Sequence, residues 1–131
     1  VKKDIYHANP STNFSSFSAW INKRFKHDLM KGQLHVIDYI LNNDKYPCQV
    51  LLTMGQDDLL TNLPGQRNLF KHMKWSGMAN YFASKKVILK DPQGYVIGNA
   101  QHYDRLTGVV INKAGHMGSY DQPFAFYDAL Q

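Results

Sequence analysis

Apolar and polar positions divide the chain into a helical first part and a strand-rich second part. An amphipathic helical piece is predicted for residues 1–7, and apolar residues at helical spacing predict helices over residues 14–29 and 34–41. The pattern changes at residues 49–55, a short and continuous apolar run that ends in glycine. Such a run is typical of a strand that is buried on both faces of a parallel sheet.

A helix and a hairpin are predicted after this strand. The helix covers residues 62–75, where Pro64 is compatible with the first helical turn. Residues 86–89 and 95–98 are rich in β-formers and flank the turn sequence Asp-Pro-Gln-Gly, which predicts a hairpin.

A second buried strand and a closing helix complete the pattern. Residues 106–111 form another apolar run, and Asp121 is predicted to cap a final helix that carries Pro123 in its first turn. Apolar strands separated by helical segments predict an α/β protein.

Composition narrows the chemistry. The chain has 131 residues, about the size of one domain, and all of its ten acidic residues are Asp. The absence of Glu excludes glutamate-dependent sites such as H-E-x-x-H. A single cysteine, Cys48, excludes internal disulfides and cysteine-clustered metal sites, so neither a metal nor another cofactor is expected. The basic residues behind the net charge of +5 lie in short, scattered clusters, which argues against a nucleic-acid partner. No apolar run approaches the ~20 residues of a membrane span.

A carboxylate and an imidazole follow the two apolar strands. Asp58 comes after the first strand and His116 after the second. Catalytic groups of open α/β sheets collect at the carboxyl ends of strands, and α/β-hydrolases order their triad as nucleophile, acid and histidine. Asp58 and His116 fit the last two members, whereas the neighbouring Asp57 is interpreted as a solvent-facing turn residue.

The surrounding residues resemble the serine carboxypeptidase family. Residues 54–62 (MGQDDLLTN) resemble the family's Gly-x-x-Asp-φ-φ-Cys-Asn segment around its catalytic aspartate. Residues 114–123 (AGHMGSYDQP) are similar to Gly-Ala-Gly-His-Met-Val-Pro-x-Asp-Gln-Pro around its catalytic histidine. Residues 74–77 and 96–98 match two landmarks between these motifs, in the right order.

This resemblance implies the C-terminal part of an α/β-hydrolase fold, incomplete on its own. Residues 1–48 would form a helical segment that leads into the sheet, and residues 49–131 the C-terminal portion of the core. The implied enzyme releases C-terminal residues from peptides through a Ser-Asp-His triad, to which this chain contributes Asp58 and His116. It contains no Gly-x-Ser-x-Gly element, so the serine is expected upstream or in a partner chain, and the chain alone is expected to be inactive. Met117 is a candidate for the substrate pocket.

The resemblance also implies a lysosomal, vacuolar or secreted protein. Asn13 begins a glycosylation sequon, and a homodimer is compatible with the family. Cys48 is either free and buried or paired with a cysteine outside this sequence.

Two departures from the family pattern keep alternatives open. Thr61 replaces the family's Cys, a change expected to be neutral, whereas Gly118 and Ser119 replace Val-Pro and are expected to loosen the histidine loop. The alternatives are an acyltransferase or lyase on the same scaffold, and a non-catalytic relative with a binding or structural role.

Overall fold

The computed structural model describes residues 11–130 except 12, 14, 30 and 46. The chain divides after Gly32 into two compact units, and only the second contains strands among the described residues. The predicted helical piece over residues 1–7 lies outside the described part, and the proposed division between residues 48 and 49 stays a prediction.

The first unit contains one short helix, α1 (Ala19–Phe25). It is shorter than the helix predicted over residues 14–29, because Ser18 caps it: the backbone is extended there and the Ser18 hydroxyl accepts a hydrogen bond from the Ile21 N–H. A serine in this position satisfies an amide that the helix leaves unpaired, which fixes the start of the helix.

The second unit alternates helices and strands. Helix α2 spans Leu34–Leu41, as predicted. In chain order the other elements are β1 (Val50–Gly55), α3 (Leu63–His72), α4 (Met78–Ala83), β2 (Lys86–Lys90), β3 (Val96–Tyr103), β4 (Leu106–Ile111), α5 (Gly118–Asp121) and α6 (Pro123–Ala129).

The four strands form one mixed sheet in the order β1-β4-β3-β2. β1 and β4 are parallel, with Val50 opposite Leu106 and Gly55 opposite Ile111. β2 pairs with β3 and β3 with β4 in antiparallel fashion. The predicted hairpin and the predicted parallel arrangement are therefore confirmed, and the two candidate strands end side by side.

Helices cover both faces of the sheet. On one face Met54 and Val110 pack with residues of α2, α3 and α4, and on the other Val109 and Ile111 pack with Ala125 of α6. β4 is buried except at Thr107, whereas most of β1 is only half-buried. β1 is less buried than β4 because it lies at the edge of the sheet formed by the described residues, although its side chains pack on both faces.

Two helix boundaries differ from the sequence predictions. Helix α3 begins as expected, with the Asn62 side chain accepting a hydrogen bond from the Gly65 N–H, but it ends at His72. A separate α4 follows Gly77, which lies so close to the Trp75 indole that a β-carbon there would collide with the ring. The Lys74 and Ser76 N–H groups donate to the side chains of Asp38 and Asn42, and these tertiary contacts stabilise a turn where local spacing predicted continuous helix.

The predicted cap of the closing helix is also wrong. Asp121 is the last residue of α5, and the N-cap of α6 is Gln122, which makes no side-chain capping bond. The Asp121 carboxylate instead accepts a hydrogen bond from the Gly115 N–H at 2.8 Å. It therefore stabilises the loop that carries His116.

Candidate active site

Asp58 lies in the turn that follows β1, and its own backbone holds its side chain. Oδ1 accepts hydrogen bonds from the N–H groups of Leu60 at 2.8 Å and Thr61 at 2.9 Å. Short polar side chains that bond to amides two or three residues ahead are typical of such turns. The carboxylate is buried, with 6% of the residue exposed, and this turn sets its orientation.

His116 follows β4 in a loop that is tied to the Asp58 turn. Lys113 has a φ of 56°, in the left-handed region, and reverses the chain after the strand. The Asp57 N–H then donates to the Ala114 carbonyl at 2.9 Å. Gly55 permits this approach, because a β-carbon there would collide with the Ala114 and Gly115 carbonyls. The parallel pairing of β1 and β4 thus continues into the two loops.

Gly118 packs tightly instead of loosening the loop. It is buried at the start of α5, and a β-carbon on it would collide with the Phe126 ring. Its φ lies outside the left-handed region, so the glycine serves close packing and not an unusual backbone conformation. The expectation of a looser loop is not met.

The two candidate side chains meet at the carboxyl ends of β1 and β4. His116 Nδ1 lies 3.1 Å from Asp58 Oδ2, within hydrogen-bond distance. The Asp58 side chain is 5% exposed and the His116 side chain 52% exposed. The carboxylate is therefore enclosed, while the ring opens to solvent.

Thr61 is a contact that the sequence interpretation missed. Its hydroxyl lies 2.5 Å from Asp58 Oδ2 and 3.5 Å from His116 Nδ1. The change from the family's Cys was expected to be neutral, but Thr61 donates both its N–H and its hydroxyl to Asp58. The spacing Asp-x-x-Thr was the available signal, because a turn that bonds to an aspartate brings the third residue back to it.

These hydrogen bonds keep Asp58 ionised. The Thr61 hydroxyl is the largest cause of a shift that lowers the pKa of Asp58 from 3.8 to about 2. Burial opposes this shift, while the Thr61 N–H, His116 and the Leu60 N–H lower the pKa further. Above the mildly acidic range, Asp58 is therefore an anion that can only accept hydrogen bonds.

A cavity of about 460 Å³ lies beside the pair. It is lined by Asp58, His116 and Met117, and Met117 is 66% exposed. Ser119 also lines the cavity, but no hydroxyl or thiol of the described residues is hydrogen-bonded to His116 Nε2. The described residues thus provide an oriented imidazole, but no nucleophile that is hydrogen-bonded to it.

The remaining candidate residues lie at the surface. Asn13 and the side chain of Asp57 are exposed. Cys48 is exposed and not buried, and its pairing with a cysteine outside this sequence stays a prediction. Within the described ranges no three His, Cys or Asp side chains cluster as metal ligands, and no helix is long and apolar enough to span a bilayer.

One known protein family matches the whole sequence. The family model for serine carboxypeptidases matches residues 1–131, the whole sequence. The chain belongs to the serine carboxypeptidase family.

Curated serine carboxypeptidases are similar to this chain over nearly all of its length. Serine carboxypeptidase-like 50 of Arabidopsis thaliana is 26% identical over 98% of the chain, which spans 28% of that relative. The venom serine carboxypeptidase of Apis mellifera is 30% identical over 94% of the chain, which spans 25% of that relative. The chain thus spans about a quarter of the length of these family members.

A solved structure shows the same fold. The crystal structure of a prohormone-processing carboxypeptidase from Saccharomyces cerevisiae superposes with a TM-score of 0.69 and 18% identity. The match covers 85% of this chain and 24% of that one. The mixed sheet with flanking helices is thus part of an α/β-hydrolase fold, as the sequence predicted.

Proposed function

We propose that this chain supplies the acid and the histidine of a serine carboxypeptidase, Asp58 and His116, and that the nucleophilic serine lies in an upstream segment or a partner chain. The activity would be the release of C-terminal residues from peptides. The observation that carries the proposal is the 3.1 Å contact between His116 Nδ1 and Asp58 Oδ2, beside an open cavity.

The contact supports one protonation pattern. Because Asp58 is ionised and only accepts hydrogen bonds, Nδ1 of neutral His116 carries the proton that points to it. Nε2 then carries a lone pair. In a triad this nitrogen takes the proton from the serine during attack and returns it to the leaving amine. Asp58 fixes the tautomer and stabilises the imidazolium that forms.

The two edge strands of the sheet differ in a way that supports a further strand beside β1. The other edge strand, β2, begins and ends with Lys86 and Lys90, and such charges discourage further pairing. β1 has the sequence VLLTMG, without any charge, and among the described residues it pairs only with β4. An uncharged apolar edge is suited to receive another strand, so an upstream segment that continues the sheet would cover it.

Exposed apolar side chains around the site support the same conclusion. Next to Asp58, Leu59 and Leu60 are 93% and 73% exposed. Adjacent large apolar side chains that are exposed are typical of a face that another segment covers. The segment with the serine would then close the site from this side.

The test requires the intact protein, with its upstream segment or partner chain. We expect a Gly-x-Ser-x-Gly serine there that reacts with a fluorophosphonate label. Asp58→Asn should lower kcat/KM for peptide hydrolysis by about 10⁴-fold and His116→Gln by about 10⁶-fold. The exposed neighbour provides the control, since Asp57→Asn should retain activity.

Other outcomes would favour the alternatives. Labelling without peptide hydrolysis, together with acyl transfer to a non-water acceptor or bond cleavage without hydrolysis, would favour the acyltransferase or lyase. An intact protein that contains the serine, yet neither reacts with the label nor hydrolyses peptides, would leave the non-catalytic role.

We also propose a secretory protein, lysosomal, vacuolar or secreted. Support comes from the exposed sequon residue Asn13 and from a relative that is named for venom, a secretion. A mobility shift after deglycosylation that disappears in Asn13→Gln would test the glycan.

A further inference from the structure

A second cavity lies on the other face of the sheet from the proposed catalytic pair. Successive side chains of a strand point to opposite faces. Thr53 of β1 lines the cavity beside His116, whereas Met54 lines the second cavity. We call it the helix-side cavity. It has a volume of about 230 Å³ and is lined by residues of α3, α4 and all four strands.

A tyrosine hydroxyl opens into this cavity. Tyr81 of α4 is 4% exposed, and its hydroxyl lies so close to Gly108 that a β-carbon there would collide with it. The ring is stacked parallel to Phe70 at a centroid distance of 5.5 Å. Among the described residues the Tyr81 hydroxyl has no hydrogen-bond partner, and it is accessible from the cavity, because no fully enclosed side-chain N or O atom there is left unpaired. It therefore remains available as a donor inside the cavity.

All charged residues that line the cavity are positively charged. Arg67 and Lys71 lie four residues apart on one face of α3, and Lys86 lines the cavity from β2. None of the three forms an ion pair with a described residue, and no carboxylate lines the cavity. The cavity therefore favours an anion over a neutral or cationic ligand.

The rest of the lining is apolar apart from two side-chain amides, of which Gln101 donates to the Tyr81 and Ser84 carbonyls. Met54, Phe70 and Val110 are buried, and Phe82 is half exposed at the rim. The Asn99 side chain lines the cavity and makes no hydrogen bond with the described residues. Apolar walls with a few convergent polar groups are the usual construction of a small-molecule site.

We propose that the helix-side cavity binds a small organic carboxylate with an apolar body, whose carboxylate accepts a hydrogen bond from the Tyr81 hydroxyl. Arg67, Lys71 and Lys86 balance its charge, and the apolar body lies against the walls formed by Met54 and Phe70. The volume suits a ligand of about ten non-hydrogen atoms, below the range of drug-sized molecules. This site is independent of the proposed triad, because it shares no lining residue with the cavity beside His116.

Calorimetric titration of the intact protein with phenylacetate tests the proposal without any measurement of activity. We expect saturable binding with a Kd of about 1 mM, typical of a ligand of this size. Benzyl alcohol and benzylamine, which have the same ring but no carboxylate, should not bind. The proposal would be overturned if the intact protein did not bind phenylacetate, or if it bound benzyl alcohol equally well.

Variants locate the site. Tyr81→Phe keeps the ring stacked on Phe70 and removes only the unpaired hydroxyl, so the protein should fold, and binding should weaken about tenfold. Lys71→Gln and Lys86→Gln should each weaken it about threefold. Lys90→Gln, at the other end of β2 and outside the cavity, is the matched control and should bind as the unmodified protein does. Unchanged binding in Tyr81→Phe and both lysine variants would show that phenylacetate binds elsewhere.

Discussion

The Thr61 hydroxyl lies 2.5 Å from Oδ2 of Asp58, the carboxylate oxygen that also faces the histidine ring. One oxygen thus accepts hydrogen bonds from a fixed neighbour in its own turn and from His116, 3.1 Å away on the other strand end. Thr61 stabilises the ionised carboxylate and limits its rotation. We infer that Thr61 is a positioning residue for the proposed acid.

Removal of the Thr61 hydroxyl should change the titration of Asp58. In Thr61→Val the largest cause of the low pKa of Asp58 is lost, so this pKa should rise from about 2 towards 3.8. The NMR titration profile of the Asp58 carboxyl carbon in the intact protein should therefore move to higher pH.

Two conservative variants complete this experiment. Thr61→Ser keeps the hydroxyl and should restore the original profile, while Thr61→Cys introduces the residue common in the family and, as a weaker donor, should lie between the two. A profile that is identical in Thr61→Val and the unmodified protein would show that Thr61 does not act through Asp58.

The low pKa of Asp58 also predicts a dependence of stability on pH. Because the folded pKa of about 2 lies below the ordinary value of 3.8, the ionised carboxylate stabilises the folded state fully above about pH 4. This contribution should disappear as the pH falls towards 2. Urea unfolding of the intact protein and of Asp58→Asn should therefore give a difference in unfolding free energy that shrinks between pH 4.5 and about 2. A difference that stays constant over this range would contradict the shift.

Any larger residue at position 118 should lower the stability of the protein, because the Phe126 ring occupies the space. Gly118→Val, which introduces the residue expected from the family motif, places a side chain where the Phe126 ring lies. We expect a loss of about 1–3 kcal/mol in the free energy of unfolding, as for other overpacked sites. Gly118→Ala should show a smaller loss.

A double-mutant cycle identifies the cause of that loss. If the ring is responsible, Gly118→Val should cost much less in a Phe126→Leu background, where the two changes couple. Equal costs in both backgrounds would assign the loss to the backbone of the histidine loop and not to the ring.

The chain expressed alone should aggregate or remain molten. β1 is an uncharged apolar edge strand, and Leu59 and Leu60 are exposed just beyond its carboxyl end. Coexpression with the upstream segment should yield soluble protein. Calorimetry and light scattering of the isolated chain test this prediction, and a sharp cooperative unfolding transition of a monomer would contradict it.

The sequence predicted those features that arise from local pattern. The continuous apolar runs located β1 and β4, and the polar groups at their ends predicted that Asp58 and His116 would lie near each other. The Asp-Pro-Gln-Gly turn located the hairpin. Each of these signals is contained in a few consecutive residues, so one sequence was sufficient.

The features that it missed depend on contacts between distant segments or on competition between caps. The turn after α3 is held by hydrogen bonds from Lys74 and Ser76 to Asp38 and Asn42 of a distant segment, which no periodicity reveals. Asp121 has the sequence signature of a helix cap, yet its carboxylate bonds to the Gly115 N–H. Likewise, the unpaired hydroxyl of Tyr81 becomes apparent only when α4 lies against the sheet.

The parallel pairing of β1 with β4 has a consequence for the order of folding. Every pair in this ladder joins residues 56 positions apart, from Val50 with Leu106 to Gly55 with Ile111. The three antiparallel strands β2, β3 and β4 connect through short turns, so they close small loops at a lower entropic cost and should form first. The contact between Asp58 and His116 then assembles in a late step, and its appearance during refolding would mark the moment at which the sheet is joined.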